Sequence, residues 1–320
     1  MPGNQKRIDS RGTSAVKIRG IRRSALGFCA VAAGLLGAAC SSSNAVVPGS
    51  AGGAGVPGAA YQPHYAMTRS MAAARRFHPD LFVSYHSGPV LTTPLMYIVF
   101  WGYKTHGDPD KVKPLMINYA KAMGGSAHNN IYTQYYDMTG KKKAFIGNAN
   151  NQFGGSWEDD SPIPKSPTDS QVAAEAVKGA SHFGFDPNGV YFVATAHNHN
   201  TPSFGTNFCS YHNAITSKGK TVPYVDFPYM PDGGANCGVN FIKAPKDENA
   251  RDEGVTIMAG HEYGETLTDP QPFSGWNGVD GEIADPCSWQ NIANEPFKNK
   301  SYSTQPMISD ASGSCVQSYP

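Results

Sequence analysis

Residues 261–265, HEYGE, place a histidine and a glutamate four positions apart, with a second glutamate directly after the histidine. If the surrounding TIMAGHEYGETLTDP (256–270) is helical, His261 and Glu265 project from one face and can grip one cation. Glu262 then stands where the HExxH pattern of zinc hydrolases carries the base that deprotonates a water at the metal. Glu265 in place of the second histidine makes a harder, more anionic donor set, which still accepts zinc and tolerates manganese or calcium. An ordinary amphipathic helix also contains HExxE by chance, so the five letters need support from elsewhere in the chain.

That support lies downstream. WNGVDGEIADPC (276–287) brings Glu282 and Asp285 after a glycine-rich turn, Glu282 falling 17 positions beyond Glu265, near the spacing at which a carboxylate completes a zincin-type site. Asp269, at the helix end before Pro270, is a further carboxylate that could face the same way. In FCSYHN (208–213) His212 is a candidate to line the same cleft and to orient a ligand or stabilise an oxyanion. ATAHNHN (194–200) offers His197 and His199, which read as hydrogen-bonded histidines at a strand end. There is no GxSxG elbow and no glycine-rich phosphate loop.

These residues need a scaffold. The first forty positions carry seven Lys or Arg and then the apolar run ALGFCAVAAGLLGAAC, which together describe an export signal. Gly-Ala-Ala-Cys at 37–40 also fits a lipoprotein cleavage site that would lipidate Cys40, the one route by which this chain would meet a membrane. Residues 41–80 read as a flexible Ser/Gly/Ala/Pro-rich tether, leaving about 240 residues, 81–320, for one domain. Without the first forty residues, 19 Lys and Arg face 24 Asp and Glu, a net charge of −5 that excludes nucleic-acid binding as the function. Of six cysteines, Cys209, Cys237, Cys287 and Cys315 remain, and the shorter loops favour Cys209–Cys237 and Cys287–Cys315 disulfides.

Buried strands are predicted at 94–102, 189–197 and 221–227, and a strand or extended segment at 130–140. Helices are predicted at 112–125, at 168–184 with Asp169 or Ser170 as N-cap, and at about 252–268. The last fifty residues, rich in Gly, Pro, Asn and Ser, predict little regular structure. The expected fold is α+β or α/β: one zincin-like domain with a mixed sheet, a metal-site helix and a loop-rich, disulfide-bonded C-terminal part.

YHSGPVLTTPLMYIVFWG (85–102), FCSYH (208–212), the His-Glu helix ending in TDP (261–270) with a Trp soon after, and GEIADPC (281–287) occur in the order of the blocks of the Exordium, or phosphate-induced, protein family. The chain resembles its bacterial members over about residues 84–317. Plant members are secreted to the apoplast and tied to growth and brassinosteroid response, without a settled activity. The resemblance makes HExxE the family's own pattern and implies a site at His261, Glu262 and Glu265, with Glu282 and Asp285 matching the later acidic block. The long N-terminal segment departs from the plant pattern and argues against a hormone role. Two functions follow as expectations. One is an exported, metal-dependent hydrolase of the zincin-like peptidase type: His261, Glu265, Glu282 and Asp285 hold zinc (or manganese or calcium), while Glu262 and His212 assist the chemistry on a peptide or protein substrate. The other is a non-catalytic envelope or extracellular protein that binds polysaccharide or a partner around a structural cation or none.

Overall fold

A computed structural model describes residues 61–77, 82–242, 251–298 and 300–320. The expected export signal, Cys40 and the first part of the tether lie outside the described residues.

The organising element is a six-stranded mixed sheet. In chain order its strands are β1 (His64–Met67), β2 (Leu95–Trp101), β3 (Phe153–Asp159), β4 (Gly189–Thr195), β5 (Phe208–Ser217) and β6 (Lys220–Phe227). Across the sheet the order is β1-β5-β6-β4-β2-β3. β3, β2, β4 and β6 run parallel, β5 is antiparallel to β6, and β1 is antiparallel to β5. Parallel neighbours require crossovers, and long connections between the central strands provide them.

The central strands are apolar on both sides, as a sheet covered on both faces requires. Met96, Ile98 and Phe100 of β2 join Val190, Phe192 and Ala194 of β4 in the larger core. Their alternates Tyr97, Trp101, Tyr191 and Val193 face the smaller one. A helix, Asp169–Phe183, seals the smaller core with Val172, Ala173, Ala176 and Ala180. Its N-cap is Thr168, one residue earlier than the composition suggests, with the Thr168 N–H donating to Gln171 Oε1 at 2.9 Å. The larger core is covered by a helix at Val112–Met123 and by the helix that carries HEYGE, Glu253–Thr268. With α1 as Arg69–Ala74, these are α2 (Val112–Met123), α3 (Asp169–Phe183) and α4 (Glu253–Thr268).

Three expectations change. Residues 64–74 are not part of a tether: β1 completes the sheet edge and α1 follows it. The 130–140 segment is mainly a 3₁₀ helix, Asn129–Gln134, with a two-residue strand after it, because buried Ile131, Tyr132 and Tyr135 must reach the core beside α4. The C-terminal fifty residues are more regular than their composition indicates, forming hairpins β7 (Ala293–Phe297) with β8 (Lys300–Thr304) and β9 (Met307–Ser309) with β10 (Ser314–Val316). Both expected disulfides form, Cys209–Cys237 and Cys287–Cys315. The α4 helix is buried along its whole length, between the sheet and the β7–β8 hairpin. Its glycines make this possible: a Cβ on Gly264 would come within 2.7 Å of the Tyr132 ring.

Candidate metal centre

All three polar residues of HEYGE are fully buried, as are His212 and Glu282, and Asp285 is 1% exposed. Four separate segments bring them together. α4 presents His261, Glu262 and Glu265 from adjacent positions on its surface. β5 presents His212. The register of β1 against β5 sets His64 directly opposite His212, with ring centroids 5.5 Å apart. The 278–287 loop supplies Glu282 and Asp285.

That loop is fixed at several points. Gly278 and Gly281 form a tight antiparallel bridge, and Asp285–Cys287 makes a 3₁₀ turn tied by the Cys287–Cys315 disulfide. The Ala284 N–H donates to Glu265 Oε1 at 3.2 Å, which joins loop and helix directly. Gly281 has φ +115°, and a Cβ there would collide with the Asp285 carboxylate, so only glycine lets the loop close on the cluster.

Glu265 is the hub. Its Oε2 lies 3.2 Å from His261 Nε2, 3.8 Å from His64 Nε2 and 3.9 Å from His212 Nε2. His64 Nε2 donates to Asp285 Oδ2 at 2.6 Å, and Asp285 Oδ1 is 4.0 Å from His261 Nε2. Glu282 sits between the two strand histidines, 3.3 Å from His212 Nε2 and 3.5 Å from His64 Nδ1. Two groups of three place donor atoms within 4.8 Å of one another: His64, Glu265 and Asp285, and His212, Glu262 and Glu265.

Such a concentration of buried charge must be resolved. Burial works against a charged His64, but the charge and hydrogen bond of Asp285 outweigh it and raise the imidazole to about 9. Burial likewise opposes a charged His261, and the Glu265 carboxylate prevails, raising it to about 10. His212 goes the other way, well below its ordinary range, through burial and the two neighbouring imidazoles. Burial, reinforced by Glu265, pushes Glu262 up to about 8; burial and surrounding carboxylates push Glu282 far up. Asp285 is held low because the His64 charge overcomes its burial.

Protons do not satisfy the geometry. Ten buried donor or acceptor atoms on six of these residues have no hydrogen-bond partner: both ring nitrogens of His212 and His261, both oxygens of Glu262 and Glu282, Glu265 Oε2 and Asp285 Oδ1. Unpaired buried polar atoms are costly, and imidazole nitrogens and carboxylate oxygens grouped within 4.8 Å of one another are what a divalent cation requires. The residues therefore fit a metal.

Five of the six site residues named from sequence converge on Glu265 within one cluster, and the sixth is Glu265 itself. Asp269 does not supply a free ligand: its carboxylate accepts from the Ser274 N–H at 3.1 Å and the Gly275 N–H at 2.7 Å, clamping the loop after α4. His197 pairs with Asp232 at 2.6 Å and His199 Nδ1 donates to Pro164 O at 2.9 Å, and neither belongs to either donor group. His64 is the residue the sequence did not reveal. It belongs to a four-residue strand, too short for alternation to be legible, and its hydrogen-bond partner Asp285 lies 221 positions away.

A surface cavity of about 360 Å³ reaches the cluster at two of its residues, His64 and Asp285, with Phe273, Val279 and Arg75 around it; the other five cluster residues lie buried behind them. Phe273 touches the His64 ring edge-on at 5.3 Å between centroids. Among the described residues no helix is long and apolar enough to cross a membrane.

Over 247 residues the chain is 24% identical to protein EXORDIUM-like 5 of Arabidopsis thaliana, a match covering 68% of each protein. This supports a distant Exordium-like relationship. No family model and no solved structure matches the chain.

Proposed function

We propose that this chain is an exported, metal-dependent hydrolase, most consistent with a zincin-like metallopeptidase, whose metal is held around Glu265. The observation that carries the reading is the convergence of three histidines and four carboxylates, most of their donor atoms unpartnered, behind a cavity that His64 and Asp285 line. When bound, a divalent cation supplies Lewis acidity, polarising a substrate oxygen and acidifying water. Imidazole with carboxylate, and no thiolate because Cys209, Cys237, Cys287 and Cys315 are paired, favours zinc or manganese over calcium.

The chain's own residues then divide the work. His64, His212, His261, Glu265 and Asp285 hold and orient the metal. Glu262 stands in one of the two donor groups rather than apart from them, which favours a ligand role over the base role its helix position predicts. Glu282 belongs to neither group, keeps both oxygens unpartnered and lies between His64 and His212; a bound cation would offset the carboxylate charge that keeps it protonated, and we assign it, ionised, the proton taken from the attacking water and returned to the leaving group. Phe273 and Val279, 58% and 69% exposed, give the cavity an apolar rim that suits an apolar substrate side chain. β1 borders the cavity and is the sheet's edge strand, where an extended peptide can add. Two disulfides favour an oxidising, extracytoplasmic compartment.

The test is hydrolysis of a peptide library by the metal-loaded protein and by Glu282→Gln. A variant that keeps its fold and its metal but loses about 10²–10⁴-fold in rate supports the assignment; undiminished turnover removes it. A non-catalytic protein with a structural cation is the second reading, favoured by burial: six of the seven cluster residues are at most 1% exposed. Bound metal with no hydrolysis across the library would select it.

A further inference from the structure

The two donor groups differ in every member but Glu265, and the cluster holds more donors than one cation uses. Around one first-row cation, four donors are usual with zinc and six are the octahedral limit. The cluster offers seven side chains. A single ion coordinated within one group leaves much of the other buried with unpartnered oxygens and nitrogens. Charge points the same way. Once cation binding displaces the protons these groups otherwise hold, neutral imidazoles and the carboxylates of Glu262, Glu265, Glu282 and Asp285 sum to −4, which two divalent cations neutralise and one leaves half unbalanced.

The distances divide the donors into two sets. Atoms that share a cation at about 2.0–2.6 Å lie within about 5.2 Å of each other, and each group of three meets that limit. His64 and Asp285 are directly hydrogen-bonded, and His261 Nε2, 4.0 Å from Asp285 Oδ1, falls on their side. His212 and Glu262 form the other side. Glu265 Oε2 faces both, nearly equidistant from His64 Nε2 (3.8 Å) and His212 Nε2 (3.9 Å).

We infer that the cluster is a dinuclear centre: one divalent cation held by His64, Asp285 and His261, a second by His212 and Glu262, with the Glu265 carboxylate common to both. This rests on the metal-site reading above and extends it from one ion to two. It gives each of the paired strand histidines, His64 and His212, a cation of its own. Two cations held by these residues would supply Lewis acidity at two neighbouring positions, the chemistry of two-ion hydrolysis.

Metal-stripped full-length protein, titrated with Mn²⁺ alone, tests this by bound-metal analysis and electron paramagnetic resonance. The expected result is two equivalents per chain and an exchange-coupled spectrum in place of the isolated-ion pattern. His64→Ala and Glu262→Gln, each checked for fold by circular dichroism, should each bind one equivalent and show the isolated-ion pattern. The wild-type stoichiometry and spectrum stand as a test even if a variant fails to fold. Saturation of the wild type at one equivalent overturns the dinuclear centre and leaves the single-metal reading intact. Two equivalents with an uncoupled spectrum overturn the shared Glu265. No bound Mn²⁺, with no Zn²⁺ bound in a parallel titration, removes the metal site itself.

Discussion

At the scale of single residues, chemistry was legible where it was written in contiguous letters. HEYGE and GEIAD announce carboxylates with a histidine, and both blocks reach the cluster. The roles were less legible than the identities, because what separates Glu262 from Glu282 is their placement around Glu265, and no spacing encodes that. Glu265→Gln is the most damaging single change expected: among the described residues it removes charge from the one carboxylate within 4.0 Å of all three imidazoles, and it should lower metal affinity at least 100-fold in a calorimetric titration, a larger loss than His64→Ala causes. A different residue sets a pH dependence away from the cluster. Asp226, wholly buried on β6 against Thr201 with Asp169, Tyr65, Tyr211 and Tyr224 around it, has its carboxyl raised to about 8, chiefly by burial. Its folded value lies above its unfolded one, so its protonated form supports the fold fully below about pH 4, and that support is lost as pH rises toward 8. Stability should fall by up to about 1.4 kcal/mol per pH unit in that window through this group, and Asp226→Asn should flatten the decline in urea titrations at pH 5 and pH 8. An unchanged slope would mean that Asp226 ionises normally.

At the scale of elements, the strands with long apolar runs and the helices with capping and terminal glycine signals were legible, since β2, β4, β6, α2, α3 and α4 fall close to their expected limits. Short elements were not. β1 is held by β5, far away in sequence, and the C-terminal hairpins pair strands adjacent in sequence, the second tied down by the Cys287–Cys315 disulfide; a three- to five-residue strand has too few alternations to reveal itself. The hidden device of α4 is its close packing. Gly264→Ala should destabilise the protein by about 1–3 kcal/mol, because the new methyl meets the Tyr132 ring inside a helix that has no exposed face to yield. Gly140→Ala, with nothing within 4 Å, should change stability by no more than about 0.5 kcal/mol in the same denaturant series. Equal effects at both sites would show that α4 is not tightly enclosed.

At the scale of the whole molecule, the cluster unites pieces that are otherwise independent: the sheet edge through His64 and His212, the buried helix through Glu265, and the disulfide-bonded C-terminal region through Asp285. A cation bound there stabilises the fold as any ligand of the native state does, by about 2.7 kcal/mol at a hundredfold excess over its dissociation constant. For a domain of this size that is a shift in melting temperature of roughly 5–10 °C. The most direct measurement is the melting temperature of the full-length protein after chelator treatment, with and without added Zn²⁺ or Mn²⁺. A metal centre built around Glu265 predicts a fall of several degrees with chelator, full recovery with metal, and no such response in Glu265→Gln. A folded wild-type protein whose melting temperature is the same with chelator, with zinc and with manganese would contradict it.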